Sequence, residues 1–425
     1  MTLPRMTPIQ MRRRGPALAH APLATRRALR ELALSERVRP GQRVAITGGS
    51  RGIAKIATIT KTVVASLREL KAEPFIIPAM GSHGRGAAEG QREVLQMYGI
   101  SEETMGAPIL ASMEVIELGL TPEGIPVYLD KLASEADWIL LVNRVKPHTS
   151  FAGRIGSGLL KMTAFGLGKH RGALACHEAV MQYGYERVIH AVSAVVLSRA
   201  RILGGLAILE NSEGDLAKVV ALPVETIVTG EERLFQQARR WAPRLPFDEL
   251  DLLIVDEMGK DIAGTGMDTN VIGRRFSLIE KPPPRPRIVR IFVRGLTPET
   301  HGNATGVGLA DFTMERLLQE MDREATYTNS LTARTPEHSR LPMAFASDRE
   351  VLEAALKTLR VTDPLSTRIV RIKNTLQLKT MLVSEILLPE ARRCRDLVFL
   401  SEPQEITFDP DGNLPPWQIA NNRPS

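Results

Sequence analysis

Short apolar runs that end in glycine-rich turns alternate with longer stretches of helical periodicity, and this alternation is what most constrains the fold. RVAIT at 43–47 precedes apolar residues at helical spacing over 53–70. EPFIIPAM at 73–80 precedes a second helical pattern over 87–99. The nearly unbroken apolar run at 136–145 is typical of a buried sheet strand. Strands and helices that alternate in this way predict a layered α/β fold.

Chain length and proline punctuation divide the sequence. At 425 residues the chain is too long for one typical domain. WAPRLPFDELD, with two prolines and polar residues, predicts a domain boundary. We therefore expect an N-terminal domain at 1–243, a second α/β domain at 244–400 and a polar tail at 401–425, with an active-site cleft between the two domains.

Further elements follow from the same patterns. A TPEG turn between EVIELG and IPVYLD predicts a hairpin. A basic arm is expected first, because the first 30 residues hold seven arginines and no acid, and a helix is expected at 23–34. The other predicted strands are 204–211, the run beginning LLIVDEMG, 286–295, 341–347 and 366–374, and the other helices are 311–321 and 349–359.

Composition excludes several classes of protein. Aromatic residues make up 4% of the chain, which argues against a protein that binds nucleic acid by base stacking. The net charge of +7 is mild and suits an anionic small substrate or a nucleotide cofactor. No run of 18 apolar residues exists, so no membrane span is expected. The two cysteines are far apart, which favours a reducing, cytoplasmic compartment.

Four predicted strands end in glycine turns, and TGGSRG is the most informative of them. In an open α/β sheet, ligands bind at the carboxyl ends of strands. A glycine turn before a helix offers backbone N–H groups to an anion, so Gly49, Ser50 and Arg51 are candidate cofactor-binding residues. A plain tight turn is the alternative. The Walker A, dinucleotide and zincin motifs each lack a required residue in this chain.

Two histidines and a lysine stand out next to glycines. His83 and His148 each follow a predicted strand, and imidazole can take or give a proton at neutral pH. A pair on opposite sides of a carbon would serve a racemase or epimerase, although both could instead be ordinary loop residues. Lys161 lies among glycine and apolar residues, where a desolvated amine becomes nucleophilic, or it could extend to solvent. His170, between Lys169 and Arg171, is interpreted as part of a solvated basic face.

Taken together, these positions resemble the nickel-dependent lactate racemase family. TGGSRG is similar to that family's first active-site turn, GSH to its Gly-x-His turn, and the Pro-His of VKPHTSFAG to its second catalytic histidine. Lys161 and His177 have the spacing of the family's cofactor-bearing lysine and nickel-binding histidine. The resemblance covers most of residues 40–210 and, more loosely, the second domain.

The resemblance implies a division of roles. His83 and His148 would be the catalytic residues, and Lys161 would carry a nickel-pincer nucleotide, a pyridinium dithio-acid mononucleotide. His177 would be the protein ligand of the nickel, for which a neutral imidazole is suited. The implied activity is an isomerase that racemises or epimerises a 2-hydroxy acid by hydride transfer. Cofactor-synthesis enzymes would be transient partners.

The substrate's carboxylate would need an arginine, whose planar fork binds a carboxylate at two points. Arg51 is the first candidate, followed by Arg154 and Arg274. The chain departs from the lactate enzymes at Gly48, where they have an aspartate, and in the interval between His148 and Lys161. These departures bear on lactate as the substrate more than on the cofactor. The alternatives are an NAD- or zinc-dependent oxidoreductase and a non-catalytic nucleotide- or cofactor-binding protein.

Overall fold

A computed structural model describes residues 2–50 and 52–418. The strands, numbered along the chain, are β1 Met6–Met11, β2 Arg43–Gly48, β3 Glu73–Pro78, β4 Val115–Leu120, β5 Pro126–Asp130, β6 Trp138–Arg144, β7 Ile202–Glu210, β8 Leu216–Pro223, β9 Glu249–Val255, β10 Arg287–Val293, β11 Phe312–Met314, β12 Met343–Phe345, β13 Ile369–Ile372, β14 Thr380–Ser384 and β15 Leu397–Phe399.

The helices, numbered in the same way, are α1 Ala21–Glu31, α2 Leu34–Arg37, α3 Ile56–Glu69, α4 Ala88–Met97, α5 Glu102–Met105, α6 Lys131–Ser134, α7 Leu159–Lys161, α8 Lys169–Tyr183, α9 Tyr185–Arg199, α10 Ile227–Trp241, α11 Thr269–Ile272, α12 Glu315–Glu320, α13 Arg323–Thr332, α14 Asp348–Lys357 and α15 Leu388–Arg393. Within the described residues, no helix combines the length and apolarity that crossing a bilayer requires.

The described chain forms two compact units. The first consists of residues 14–242, and the second joins residues 2–13 to residues 243–418. Residues 1–13 were assigned from sequence to the N-terminal domain, as part of a basic arm. Instead, β1 lies between β14 and β15 in the sheet of the second unit, where its backbone hydrogen bonds are satisfied. The expected cleft between the domains stays a prediction.

The first unit is built on a five-stranded sheet in the order β3-β2-β6-β7-β8. The first four strands are parallel, and β8 returns antiparallel to β7. Alternate side chains point to opposite faces. Val44 and Ile46 therefore join a core with α1 and α3, whereas Ala45 joins a core with α8, α9 and α10. The resulting three layers confirm the predicted α/β class.

The second unit contains an eight-stranded sheet in the order β12-β11-β10-β9-β13-β14-β1-β15. Five neighbouring strands, from β12 to β13, are parallel, and the other three pair antiparallel. The helix predicted at 311–321 is wrong at its start, because Phe312–Met314 is a buried strand and the helix begins at Glu315. Pairing with β10 and β12 on either side outweighs the local helical pattern here.

Four buried charges connect the strand ends of the second unit. Arg294 donates hydrogen bonds to Asp348 and, at 2.7 Å, to Asp256. Arg371 donates two further hydrogen bonds to Asp256, at 2.7 and 2.6 Å. All four side chains are almost fully buried. Because two cations face two anions, the cluster has no net charge.

The polar tail packs onto this cluster. Arg294 also donates to the carbonyl oxygen of Leu414 at 2.8 Å, and Arg371 donates to that of Pro415 at 2.7 Å. The Leu414 N–H donates to Asp348 at 2.8 Å, and the Leu414 side chain is buried. Hydrogen bonds between main-chain groups of the tail and buried side chains of the cluster thus join this part of the tail to the rest of the second unit.

Replacing Arg294 with methionine is expected to destabilise the protein by about 3–5 kcal/mol, because two buried carboxylates lose a partner. Arg316 is the matched control, since it lies 3.7 Å from the same Asp348 but is 42% exposed. Arg316→Met should cost less than about 1 kcal/mol. Thermal melting of the full chain checks both values, and equal shifts for the two variants would contradict the assignment.

Candidate active site

The site residues predicted from sequence follow strands that end at one edge of the first sheet. Strands β2, β3 and β6 are parallel neighbours, with β2 in the middle. Gly49 and Ser50 follow β2, His83 follows β3, and His148 follows β6. Since strands are spaced about 4.8 Å apart, the ends of β3 and β6 lie roughly 10 Å from each other. Both histidines therefore arise from the same edge, where ligands of α/β sheets bind.

His148 lies in a loop whose ends are paired. Lys146 and Ser157 exchange two backbone hydrogen bonds, at 3.0 and 2.9 Å, which close the loop. Within it, the Ser150 N–H donates to Nδ1 of His148 at 3.0 Å. The opposite ring nitrogen, Nε2, lies 2.6 Å from Nζ of Lys161. The structure thus brings together two residues that the sequence analysis assigned to separate roles.

The hydrogen bonds of His148 define where its ring hydrogen lies. A neutral imidazole has one N–H and one lone pair. Because Nδ1 faces the N–H of Ser150, the lone pair is on Nδ1 and the hydrogen is on Nε2. In that tautomer Nε2–H can donate to Nζ of Lys161 only when Lys161 is a neutral amine, since an ammonium group has no lone pair; in the other tautomer an ammonium donates to Nε2. The neutral amine is the nucleophilic form of lysine.

The turn that carries Lys161 is held by a buried carboxylate. Glu231, on α10, accepts hydrogen bonds from the N–H groups of Leu159 and Leu160, at 2.5 and 3.1 Å. A side chain at Gly158 would collide with this carboxylate, so glycine is required there. After Lys161 the backbone widens into a π-turn over Met162–Gly166, a rare geometry that is frequent at functional sites.

Glu231 is fully buried, and burial raises the pKa of its carboxyl to about 7, against the lowering effect of the two N–H groups. The folded protein therefore binds a proton that the unfolded chain releases above its ordinary pKa, near 4.5. The free energy of unfolding should fall by about 3 kcal/mol as pH rises from about 4.5 to 7, and then level off.

Glu231→Gln should remove this pH dependence, because the amide oxygen can accept both hydrogen bonds but cannot ionise. Relative to wild type, the variant should gain stability between pH 5 and pH 8. Denaturant midpoints of the full chain at the two pH values measure the gain. Glu225→Gln, at an exposed position near the same helix, is the control. A Glu231→Gln difference that is constant with pH would contradict the assignment.

An aromatic cluster joins His148 and Lys161 to His177. The His148 ring stacks on Phe151 at 4.7 Å, and Phe151 stacks on Tyr185 at 4.8 Å. The His177 ring, on α8, meets the edge of Phe165 at 5.0 Å between centroids and Tyr185 at 6.4 Å. Nζ of Lys161 lies 5.8 Å from the centroid of that same Phe165 ring.

His83 lies in an exposed turn with a defined ring orientation. Its Nδ1 is 2.9 Å from the carbonyl oxygen of Met80, so Nδ1 carries the hydrogen and Nε2 the lone pair. The Gly81 N–H in the same turn donates to the carbonyl oxygen of Gly166 at 3.2 Å. The His83 turn therefore packs on the π-turn that follows Lys161.

The remaining candidates are described by the residues that they contact. Arg154 is exposed and pairs with Glu186 and Glu232. Arg274, in the second unit, donates to Asp311 at 2.9 Å and to carbonyl oxygens of its own unit. Arg51 lies outside the described residues, so its role stays a prediction. Ser50 accepts a hydrogen bond from the Tyr98 hydroxyl through its carbonyl oxygen, at 3.3 Å.

Sequence analysis missed several residues of the site. Phe165 and Tyr185 were missed because isolated aromatic residues in helical patterns are typical of a core. His170 is exposed, as interpreted, but the neighbouring Lys169 is fully buried and lies 2.9 Å from Asp130. Because Lys169 is followed by His170 and Arg171, nothing in the local sequence indicated that it is buried. A partner distant in sequence accounts for its burial.

Residues 19–187 match the family model described as the lactate racemase N-terminal domain. The match lies within the first unit, and it shows that this part of the chain is similar to the N-terminal domain of lactate racemase. The matched segment contains His83, His148, Lys161 and His177. Glu231 lies beyond it.

A solved lactate racemase structure has a similar fold. The structure of the lactate racemase apoprotein from Thermoanaerobacterium thermosaccharolyticum superposes with a TM-score of 0.55 and is 15% identical, covering 87% of this chain and 94% of the other. At that identity the likeness shows the fold alone. No curated protein sequence matches this chain significantly.

Proposed function

We propose that this protein is a racemase or epimerase of a 2-hydroxy acid, acting with a nickel-pincer nucleotide attached to Lys161. The observation that carries the proposal is the convergence of His148, Lys161 and His177 on one aromatic cluster. The match of residues 19–187 to the lactate racemase N-terminal domain supports the reaction class. The departures at Gly48 and in the interval after His148 bear on lactate as the substrate. We therefore propose 2-hydroxy acids as a class and no single member of it.

The residues of the site fit such a group. Lys161 places an amine 2.6 Å from Nε2 of His148, and the neutral form of that amine can be acylated. His177 and Lys161 both face Phe165, so a flat group anchored at Lys161 can lie near the imidazole of His177. Within the described residues, no three His, Cys, Asp or Glu side chains converge on a metal position. A nickel ion at His177 would therefore take its other ligands from the nucleotide, whose sulfur atoms are soft donors.

The chain's own residues would handle the protons. When bound at Lys161, the nucleotide would supply reversible hydride transfer at the substrate's α-carbon, which passes through a planar keto acid. His83 would accept the hydroxyl proton through Nε2, whose lone pair is set by the Nδ1–H bond to Met80. His148 would do so for the other enantiomer. Once Lys161 is acylated its nitrogen no longer accepts a hydrogen bond, and Nε2 of His148 would accept the substrate's proton only in the tautomer that has its lone pair on Nε2.

The aromatic cluster would exclude water from the reacting atoms. Phe151 is buried, and Tyr185 and Phe165 bridge the rings of His148 and His177. Removing water strengthens the interactions of charged groups and protects a transient keto acid. Gly49 and Ser50 remain the predicted contacts of the cofactor phosphate, and Arg51 that of the phosphate or the substrate carboxylate.

The test is to produce the protein together with the cofactor-synthesis enzymes and to measure its intact mass and metal content. A covalent adduct with nickel, followed by interconversion of the enantiomers of a 2-hydroxy acid in a chiral assay, is the expected result. Zinc or free NAD would indicate an oxidoreductase instead. Neither an adduct nor a metal, after production with active synthesis enzymes, would indicate a non-catalytic binding protein.

A further inference from the structure

Side chains bind four carbonyl oxygens in the segment 78–83, which leads from β3 into the His83 turn. Nε2 of Gln91 donates to the oxygens of Gly81 and His83, at 2.8 and 3.2 Å. Nζ of Lys169 donates to the oxygen of Pro78 at 2.5 Å. The ring of His83 itself binds the oxygen of Met80. The path of the backbone into His83 is therefore set largely by Gln91 and Lys169, which lie outside the turn.

These groups form one continuous buried network. Nζ of Lys169 also donates to Oε1 of Gln91 at 3.3 Å and pairs with Asp130 at 2.9 Å. Asp130 in turn accepts from the N–H of Ala133 at the start of α6. Gln91, Lys169 and Asp130 are all fully buried. Burial raises the pKa of Asp130 and lowers that of Lys169, so each charge depends on the other.

The network connects the two sides of the site. Lys169 is the first residue of α8, the helix that carries His177, and its backbone φ is +54°. A non-glycine residue at positive φ is strained, so the surrounding contacts must hold it. Because the same amine reaches the end of β3 at Pro78, the start of α8 and the His83 turn are held by one cation.

A purely stabilising role explains this arrangement poorly. A buried ion pair contributes little net stability, since removing two charges from water costs about as much as their attraction returns. What such a pair supplies is a fixed geometry. We propose that Gln91, Lys169 and Asp130 are positioning residues, which hold the His83 ring in the orientation in which Nδ1 donates its hydrogen to the carbonyl oxygen of Met80. The effect of this role on catalysis rests on the proposed function, but the hydrogen bonds that hold the His83 ring do not.

Gln91→Met tests the network, because methionine keeps the volume and removes both hydrogen bonds to the turn. The readout is the ring ¹⁵N spectrum of protein labelled on histidine, without cofactor, with His83→Gln used to assign the signal. Wild type should show the Nδ1–H form. In Gln91→Met the ratio of the two ring forms should shift about two- to tenfold toward Nε2–H, as the loss of one hydrogen bond allows. In loaded protein, turnover should fall about 10- to 100-fold.

Asn211→Leu is the matched control. Asn211 is also a buried carboxamide that binds the backbone, but it holds the turn between β7 and β8. This variant should leave the His83 signal unchanged, even if it lowers the melting temperature equally. If Gln91→Met does not fold, the double variant Asp130→Asn with Lys169→Met tests the network instead, because it removes both charges together.

The outcomes separate the two proposals. An unchanged His83 signal in folded Gln91→Met would overturn the positioning role, whatever the enzyme does. A shifted signal in a protein that racemises no 2-hydroxy acid when loaded would keep the network and reject the proposed function. A shifted signal in Asn211→Leu would show that the ring responds to general loosening, which also overturns the proposal.

Discussion

Lys161→Ala produced with the cofactor-synthesis enzymes is expected to carry no covalent adduct, whereas wild type carries one. The reason is the amine's position, 2.6 Å from Nε2 of His148 and facing the Phe165 ring. The loss should be complete, because attachment requires a nitrogen at this place. Intact mass measures it directly, and racemase activity should disappear with the adduct.

The control must be a lysine whose loss leaves the fold intact. Lys169 is unsuitable, because its removal would strand the buried carboxylate of Asp130 at a cost of about 3–5 kcal/mol. Lys61 is exposed on α3 of the same unit, and Lys61→Ala should keep the full adduct. An adduct that persists at full occupancy in Lys161→Ala would show that the cofactor is attached elsewhere or bound without a covalent bond.

The pairing with His148 adds a test that needs no cofactor. If Nε2–H holds Lys161 as a neutral amine, then Lys161 should react with an acylating reagent at pH 7.5 faster than the exposed Lys61. His148→Phe keeps a stacked ring and removes the hydrogen bond, so it should slow the labelling of Lys161 and leave that of Lys61 unchanged. Peptide mass mapping reports both rates in one sample. Equal labelling of Lys161 in the two proteins would reject the proton assignment.

Local sequence patterns predicted the framework of the site well. The strands at 43–48, 73–78 and 138–144 are confirmed, because long apolar runs bounded by turns leave few other structures open. Parallel order then placed the residues after these strands at one edge, which is why His83 and His148 could be related from sequence. Helix α3 begins at Ile56, three residues later than predicted, since the backbone at Lys55 is left-handed.

What sequence did not predict depends on contacts between distant residues. Glu231 binds the Lys161 turn across a separation of 72 residues from Leu159, and in its own helix it resembles any surface glutamate. Strand β1 pairs with Thr380–Ser384 at the other end of the chain. Six residues in an arginine-rich segment gave too short a pattern to identify as a strand. The network of Gln91, Lys169 and Asp130 has the same origin, because burial of each residue is favourable only beside the others.

His83→Gln and His148→Gln are each expected to reduce racemisation about 10²- to 10⁴-fold, the usual contribution of a general acid–base group. The loss must be equal from both enantiomers. Because the equilibrium constant of a racemisation is 1, kcat/KM in the two directions cannot differ. Steady-state rates therefore cannot tell which histidine serves which enantiomer, although the two rings have different surroundings, one exposed in its turn and one stacked on Phe151.

A single turnover can separate them. Mixing excess loaded protein with one enantiomer, quenching with acid and trapping the keto acid measures only the first half of the reaction. Each variant should still form keto acid from the enantiomer whose own base remains, and the two variants should retain opposite enantiomers. Yields must be scaled to adduct content by intact mass, because His148→Gln also alters the environment of Lys161. His20→Gln, at an exposed position before α1, should behave as wild type.

One outcome of the single-turnover experiment would contradict the assignment of two separate bases. If both variants lose keto acid formation from the same enantiomer, then one histidine acts through the other and the site has a single base. His83 would then be the acting group, since its Nε2 lone pair is set by Met80, whereas Nε2 of His148 carries hydrogen toward Lys161. If the retained enantiomers are opposite, Nε2 of His148 must lose its hydrogen after attachment. The ring ¹⁵N signal of His148 should then differ between protein with and without the adduct, while the signal of His83 stays the same.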